Sequence, residues 1–207
     1  MSGMLISLEG IDGSGKSTQA DRLLNHLRAA GHTVTRVREP GSTGLSEAIR
    51  GMLLEHTDLN LSDRAEAMLF SAARAQLVDE VILPALSRSE VIICDRFSDS
   101  TIAYQGYGRE LPLEQISNTQ ELVTRGLVPS VSILFDLSVA DSLARRAESD
   151  DDRMEAAGAA FLERVRNGYL ALAAKDAQRW LVVDATGSIE HISGEIIAHV
   201  ESRIERP

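Results

Sequence analysis

The stretch of this sequence most suited to chemistry is Gly10-Ile11-Asp12-Gly13-Ser14-Gly15-Lys16-Ser17, followed by Thr18. Two glycines bracket four residues and are followed by Lys and Ser, the spacing of a phosphate-cradling P-loop. The glycines let the backbone turn its N–H groups inward around phosphate oxygens, and the helix that follows adds its positive end. In that arrangement Lys16 reaches the β- and γ-phosphates of ATP, and Ser17 sets its hydroxyl on Mg²⁺. A second cluster is Asp95-Arg96-Phe97, continued by Ser100, Thr101, Tyr104 and Gln105. Asp95 ends an apolar run, as a metal-associated carboxylate does in phosphoryl-transfer enzymes; taken alone, it could also cap the next helix. Arg96 offers a planar fork that matches phosphate. Phe70 and Arg74 lie four apart, so on a helix they share a face. A ring beside a fork of donors suits a nucleobase, and equally suits a core Phe beside a solvated Arg. Finally, Arg145, Arg146 and Arg153 bracket an acidic stretch, Glu148 to Asp152. Phosphoryl transfer needs positive charge on the group in flight, and an arginine there is worth roughly 10³ or more in rate.

Five short apolar runs must position these clusters: Met4–Glu9, Thr33–Arg38, Val91–Asp95, Val131–Asp136 and Trp180–Asp184. Each is partly β-branched and reads as a strand. Helical spacing lies between them. Ala20, Leu23, Leu24 and Leu27 share one face, as do Leu69, Ala73, Leu77 and Val81. The last helix carries Ile189, Ile192, Ile196, Ile197 and Val200. Strands alternating with helices predict an α/β fold, a five-stranded parallel sheet with helices on both faces. Ligands of such sheets bind beyond the carboxyl ends of the strands, which is where both clusters fall. With 207 residues, no repeat and no Pro/Gly/Ser-rich linker, the expectation is one domain over residues 1–207, with a small lid at about 145–156.

The formal net charge of −10 disfavours general nucleic-acid binding, which relies on phosphate neutralisation by Lys and Arg. No run approaches the ~18 apolar residues of a membrane span. Met1 to Leu8 has no basic region and too short an apolar run for a secretory signal. The single cysteine, Cys94, cannot form an intramolecular disulfide. A cytoplasmic location is therefore expected. The Cys94 thiol, inside an apolar strand, is expected to be inert packing. All five histidines, His26, His32, His56, His191 and His199, fall outside the clusters and read as surface residues.

The P-loop indicates nucleotide binding but not the acceptor. No Asn-Lys-x-Asp or Thr-Lys-x-Asp run of the guanine-reading kind is present, which disfavours a regulatory GTPase. The run Asp95-Arg96-Phe97 with Ser100, Ala103, Tyr104 and Gln105 resembles the signature of thymidylate kinases. Arg38-Glu39-Pro40-Gly41, Phe70-Ser71-Ala72-Ala73-Arg74, Asp152-Arg153-Met154-Glu155 and Asp184-Ala185-Thr186 resemble, in order, further segments of that family. The resemblance runs from Met4 to about Ile197.

It implies a P-loop NTPase fold and transfer of the γ-phosphoryl group of ATP to dTMP with Mg²⁺. Gly10 to Thr18 would bind ATP, with Ser17 and Asp95 at the metal. Arg96 would bind the acceptor's 5′-phosphate. Phe70 would stack on thymine, and Arg74 would contact the base or its phosphate. Thr101 or Gln105 would read the thymine edge, while Tyr104 would crowd the 2′ position of the sugar. Ser100 and Pro40 would complete the dTMP site. Asp12 would lie near the 3′-hydroxyl, and Glu39 would support the acceptor site or the metal shell.

The P-loop interior, Ile11 to Ser14, lacks a basic residue, which resembles the bacterial subgroup whose lid supplies the arginines. Arg153, with Arg145 or Arg146 assisting, is thus the expected transition-state arginine, beside Lys16, Asp95 and Arg96 in the catalytic set. A homodimer packed through helices is also implied. The rival readings are another P-loop kinase of nucleoside monophosphates or deoxynucleosides, and a nucleotide-controlled switch or assembly module.

Overall fold

The computed structural model describes residues 3–55, 59–146 and 157–204. Five strands, β1 (Met4–Glu9), β2 (Val34–Arg38), β3 (Val91–Asp95), β4 (Val131–Asp136) and β5 (Trp180–Asp184), form one sheet in the order β2-β3-β1-β4-β5. Every neighbouring pair is parallel. The expected strands are all present. β2 begins one residue late, although Thr33 still accepts a hydrogen bond from the Val91 N–H at 2.9 Å.

β1 is buried along its whole length, so its residues must satisfy both faces of the sheet. Met4, Ile6 and Leu8 point to the layer formed by α1 (Lys16–Ala29) and α9 (Ile189–Glu201), where Ala20, Leu23, Leu27, Ile192, Ile196 and Val200 meet them. Leu5 points the other way, to Leu77, Val78, Ile82 and Phe97. This two-residue alternation is the pleat of a strand. Ser7 tolerates burial because its hydroxyl donates to Ser132 Oγ at 2.9 Å.

Ser62 caps α3 (Asp63–Leu77) by accepting from the Ala65 N–H. The periodic face expected from Leu69 to Val81 runs past the end of α3 into a π-helical turn, Val78–Ile82, and then α4 (Leu83–Ser87). A short helix, α5 (Ser98–Thr101), likewise continues as a π-helix over Ile102–Gly108. The latter packs closely on α8 (Ala159–Lys175): a Cβ on Gly168 would lie 2.7 Å from the Tyr107 ring. α2 (Gly44–Arg50), α6 (Leu113–Thr124) and α7 (Val139–Arg146) complete the helices named here.

The sheet order reverses at β1, whose neighbours β3 and β4 leave on opposite sides. That reversal opens a crevice at the strand ends. The P-loop follows β1 directly, and Asp95-Arg96 follows β3 next door. Topology thus brings together two clusters that lie about eighty residues apart in sequence.

Candidate active site

Gly10 leaves β1 with φ +136°, and a Cβ there would come 2.7 Å from the Phe135 carbonyl oxygen. Only glycine fits both the conformation and the space. The loop then turns beneath Lys16, whose buried Nζ donates to the Gly10 and Ile11 carbonyls at 3.0 and 2.9 Å. Burial, with Arg96 nearby, lowers the Lys16 ammonium from 10.5 to about 8. Ser17 Oγ donates to Asp95 Oδ2 at 3.1 Å.

Asp12, Gly13, Gly15, Lys16, Ser17 and Thr18 line a cavity of about 950 Å³, together with Arg38, Glu39, Arg50, Asp95, Arg96 and Arg145. Ile11 and Ser14 are buried beneath it, and Ile11 packs on Leu134 and Val139 in the core. These two support the loop rather than line the cavity.

A second cavity of about 560 Å³ adjoins the first. All ten residues expected at the acceptor line it: Asp12, Glu39, Pro40, Phe70, Arg74, Arg96, Ser100, Thr101, Tyr104 and Gln105. Asp12, Glu39, Arg50 and Arg96 belong to both walls.

Arg96 holds the junction. It adopts a left-handed φ of 68°, rare for a residue with a Cβ. Its own N–H donates to Leu8 O at 2.9 Å, and the next N–H, of Phe97, donates to Glu9 Oε1 at 2.9 Å. The guanidinium donates to Gly10 O at 2.8 Å, to Asp12 Oδ1 at 2.6 Å and to Tyr169 OH at 3.3 Å. It also lies 5.1 Å from the Tyr104 ring centroid. Burial opposes its charge, but Asp12 and its other neighbours outweigh that and hold it firmly protonated.

Behind Arg96, Glu9 is fully enclosed. Ser100 Oγ donates to Glu9 Oε2 at 2.6 Å, and Tyr169 OH at 3.3 Å. Burial, then the neighbouring Asp99, pushes the Glu9 carboxyl up to about 8.

Arg74 is 1% exposed and spans four elements. Its Nε donates to Glu39 Oε2 at 2.7 Å, Nη1 to Thr101 Oγ1 and Gln120 Oε1, and Nη2 to Phe97 O at 3.0 Å. These bonds use four of the five N–H groups of Arg74, and its Nη2 also lies against Glu39 Oε2, so a ligand oxygen competes for donors already engaged. The other oxygen of Glu39, Oε1, is buried without a hydrogen-bond partner. Burial raises the Glu39 carboxyl despite Arg74.

The expected lid begins inside helix α7. Arg145 reaches from that helix to the Gly13 carbonyl at 3.2 Å and the Ala185 carbonyl at 2.9 Å, bridging the P-loop and the loop after β5. Arg153, with the Asp152-Arg153-Met154-Glu155 motif, and the side chain of Arg146 lie outside the described residues.

Among the described residues no histidine lines either cavity. His191 is exposed, but the surface reading is corrected for His199, which is half-buried with its Nε2 lacking a partner. Cys94 is buried, and burial raises its thiol well above the usual range, in line with inert packing.

Arg50 and Leu54 on the wall of the second cavity, and Arg38 on the wall of the first, have no sequence signal as site residues. Arg38 was visible only as the start of the Arg-Glu-Pro-Gly segment. Glu9 and Tyr169 were missed because their partners lie 91 and 69 residues away from them at Ser100.

Comparison with known proteins converges on one family. The family model described as thymidylate kinase matches residues 8–196. A thymidylate kinase of Deinococcus radiodurans is 46% identical over 202 residues, covering 97% of this chain and 98% of the relative. One from Pseudomonas putida is 44% identical over 207 residues, covering 100% of this chain and 99% of the relative. The crystal structure of thymidylate kinase from Ehrlichia chaffeensis superposes with a TM-score of 0.79 at 31% identity, covering 97% and 99% of the two chains.

Proposed function

This chain belongs to the thymidylate kinase family, whose members phosphorylate dTMP to dTDP with ATP, and we propose that its two adjoining cavities hold the two nucleotides for direct transfer. The observation that carries this reading is the shared wall. Arg96, Arg50, Asp12 and Glu39 border both cavities, so the donor's γ-phosphate and the acceptor's phosphate meet beside two arginines.

The donor's phosphates lie over Gly13, Gly15 and the N-terminus of α1, where inward N–H groups and the helix dipole favour negative charge. Lys16 exchanges its carbonyl partners for phosphate oxygens and carries its charge to the group in flight. Ser17 Oγ and Asp95 Oδ2, hydrogen-bonded at 3.1 Å, are adjacent hard oxygens suited to Mg²⁺, with the remaining ligands from phosphates and water. When bound, the metal neutralises developing charge on the phosphates. Among the described residues no cluster of three or more His, Cys, Asp or Glu forms a protein-only metal cage, which fits a metal that arrives with the nucleotide.

On the acceptor side, Phe70 stacks on thymine, Thr101 or Gln105 reads its edge, and Tyr104 closes on the sugar's 2′ position. Arg74 borders the base through donors it shares with Thr101 and Gln120. Pro40 and Ser100 shape the remaining wall, and Asp12 faces the 3′-hydroxyl. Arg96 holds the 5′-phosphate in line. That phosphate has a second pKa of about 6 and is largely ionised at neutral pH, so no strong base is needed. Catalysis rests on positioning and charge. Arg153, with Arg145 or Arg146, supplies the remaining positive charge. Arg153→Ala is expected to lower kcat by roughly 10³.

A cytoplasmic homodimer is part of the same proposal. Leu45 on α2, Met68 on α3 and Leu122 on α6 leave exposed apolar surface for helix packing. The described helices include none long and apolar enough to cross a membrane.

The test is ADP release with Mg·ATP and a panel of dTMP, dUMP, dCMP, dGMP, AMP and thymidine, with products separated by chromatography. Conversion of dTMP to its diphosphate, well above the rest, supports the reading. An inert dTMP beside another reactive acceptor overturns the base assignment and leaves the P-loop chemistry.

A further inference from the structure

We propose that Glu66 is a positioning residue that sets the hydrogen-bond polarity of Gln105 and thereby makes the acceptor site select a base carrying a ring N–H. The inference rests on the reading of the second cavity as a pyrimidine-nucleotide site.

Glu66 lies on α3, 2% exposed, and is not among the residues lining the cavity that Gln105 lines. Gln105 Nε2 donates to Glu66 Oε1 at 2.9 Å. An amide has one donor end and one acceptor end, and only the network decides which is which. Here the neighbour decides it, because a carboxylate paired with an arginine accepts.

Arg109 pairs with Glu66 through both prongs of its fork. Its Nε lies 3.2 Å from Oε1 and its Nη2 2.9 Å from Oε2, a two-pronged pair with little exposure. Arg109 is itself seated 4.6 Å from the Phe161 ring centroid. The chain from Phe161 through Arg109 and Glu66 thus ends at one amide, with its nitrogen turned to the carboxylate. The oxygen is the end left for a ligand, and none of the described side chains donates to it.

A fixed acceptor discriminates between pyrimidines. Thymine and uracil carry N3–H, which can donate to Gln105 Oε1. Cytosine carries a bare N3, whose lone pair would face that oxygen with no proton between them. A buried polar group left unpaired in this way costs more than the average hydrogen bond contributes. A freely rotating glutamine would flip its amide and accept cytosine equally well, so the selectivity belongs to Glu66 and Arg109 as much as to Gln105.

Glu66→Gln is nearly isosteric and tests this. The new side chain can give its oxygen to Arg109 and its NH₂ to Gln105, which then turns its own nitrogen to the cavity. The ratio of kcat/KM for dTMP to that for dCMP is expected to fall about tenfold or more, while the ratio of dTMP to dUMP, which share the imide, stays within about twofold. In a Gln105→Met background the same Glu66→Gln change should leave the dTMP/dCMP ratio unmoved.

Gln105→Met alone should also lower that ratio about tenfold, and it reports on the amide even if the Glu66 variant does not fold. Equal losses for dTMP, dUMP and dCMP in Glu66→Gln, or an unchanged ratio in Gln105→Met, overturn the proposal. A wild-type protein that phosphorylates none of the three overturns the site reading instead.

Discussion

Replacing Arg96 by lysine keeps the charge and removes the fork, which isolates the geometry of phosphate binding. In the structure the guanidinium spends one prong on Gly10 O at 2.8 Å and the other on Asp12 Oδ1 at 2.6 Å. Nη1 also reaches Tyr169 OH at 3.3 Å, and the remaining N–H groups can face the cavity while those contacts hold the fork in place. A lysine ammonium is a single point and cannot satisfy the Gly10 carbonyl, the Asp12 carboxylate and a phosphate oxygen in that layout. At least one charge-assisted hydrogen bond to the acceptor is lost, worth about 1.5–3 kcal/mol. At 1.4 kcal/mol per tenfold, kcat/KM for dTMP should fall by roughly 10- to 150-fold. The KM for ATP should change less than kcat/KM for dTMP, because the charge at position 96 is kept and Lys16 still has the Ile11 carbonyl. Coupled ADP-release kinetics, varying each nucleotide at saturating levels of the other, read both numbers. A loss of less than about threefold for dTMP, or an equal loss in both KM values, would refute the reasoning.

Four further outcomes follow from single observations. Glu9 is raised from 4.5 to about 8, so the folded state holds a proton that the unfolded chain has released. Its contribution to stability is complete below about pH 4.5 and is lost as pH rises through about 8, at no more than about 1.4 kcal/mol per unit. Urea midpoints of Glu9→Gln should therefore drop less between pH 5 and 8 than those of the wild type, and parallel declines would contradict this. Asp95→Asn weakens the proposed metal pair with Ser17, so the Mg²⁺ concentration for half-maximal rate should rise severalfold; an unchanged requirement would place the metal elsewhere. Phe70→Ala removes the stacking face of the acceptor cavity and should raise the KM for dTMP by roughly tenfold, at about 1–3 kcal/mol per stacked base; calorimetric dTMP affinity equal to wild type would sink the stacking role. Cys94, buried with a raised thiol, should react with an aromatic disulfide reagent only after denaturation, and prompt labelling of the native protein would show that the β3 packing is wrong.

Much of this arrangement is legible in the sequence because it depends on local chemistry. β1 could be read from Met4-Leu-Ile-Ser-Leu-Glu9 since a strand covered on both faces must be apolar almost throughout. Phe70 and Arg74 could be paired from helical spacing, and both line the second cavity. What escaped depends on long-range contact. Nothing around Glu9 hints that Phe97, Ser100 and Tyr169 will converge on it, and Glu66 is one acidic residue among thirty-one until α3 is packed beside Gln105. Arg50 carries no motif and reaches the crevice only because α2 returns to it. The π-helical geometry of Ile102–Gly108 has no sequence signal, since shifting the hydrogen bonds by one residue leaves no mark on composition. Its effect is local: Tyr104 and Gln105 still join Thr101 on the cavity wall.

The central claim is that the γ-phosphoryl group passes directly from the P-loop to the phosphate of dTMP across the wall formed by Arg96 and Asp12. The most direct measurement uses ATP labelled in its γ-phosphate and dTMP, with products followed in a single turnover. The account predicts that the label appears only as the β-phosphate of dTDP, at the rate at which ADP forms, with no inorganic phosphate released. Label in inorganic phosphate, or on the 3′-hydroxyl, would contradict it.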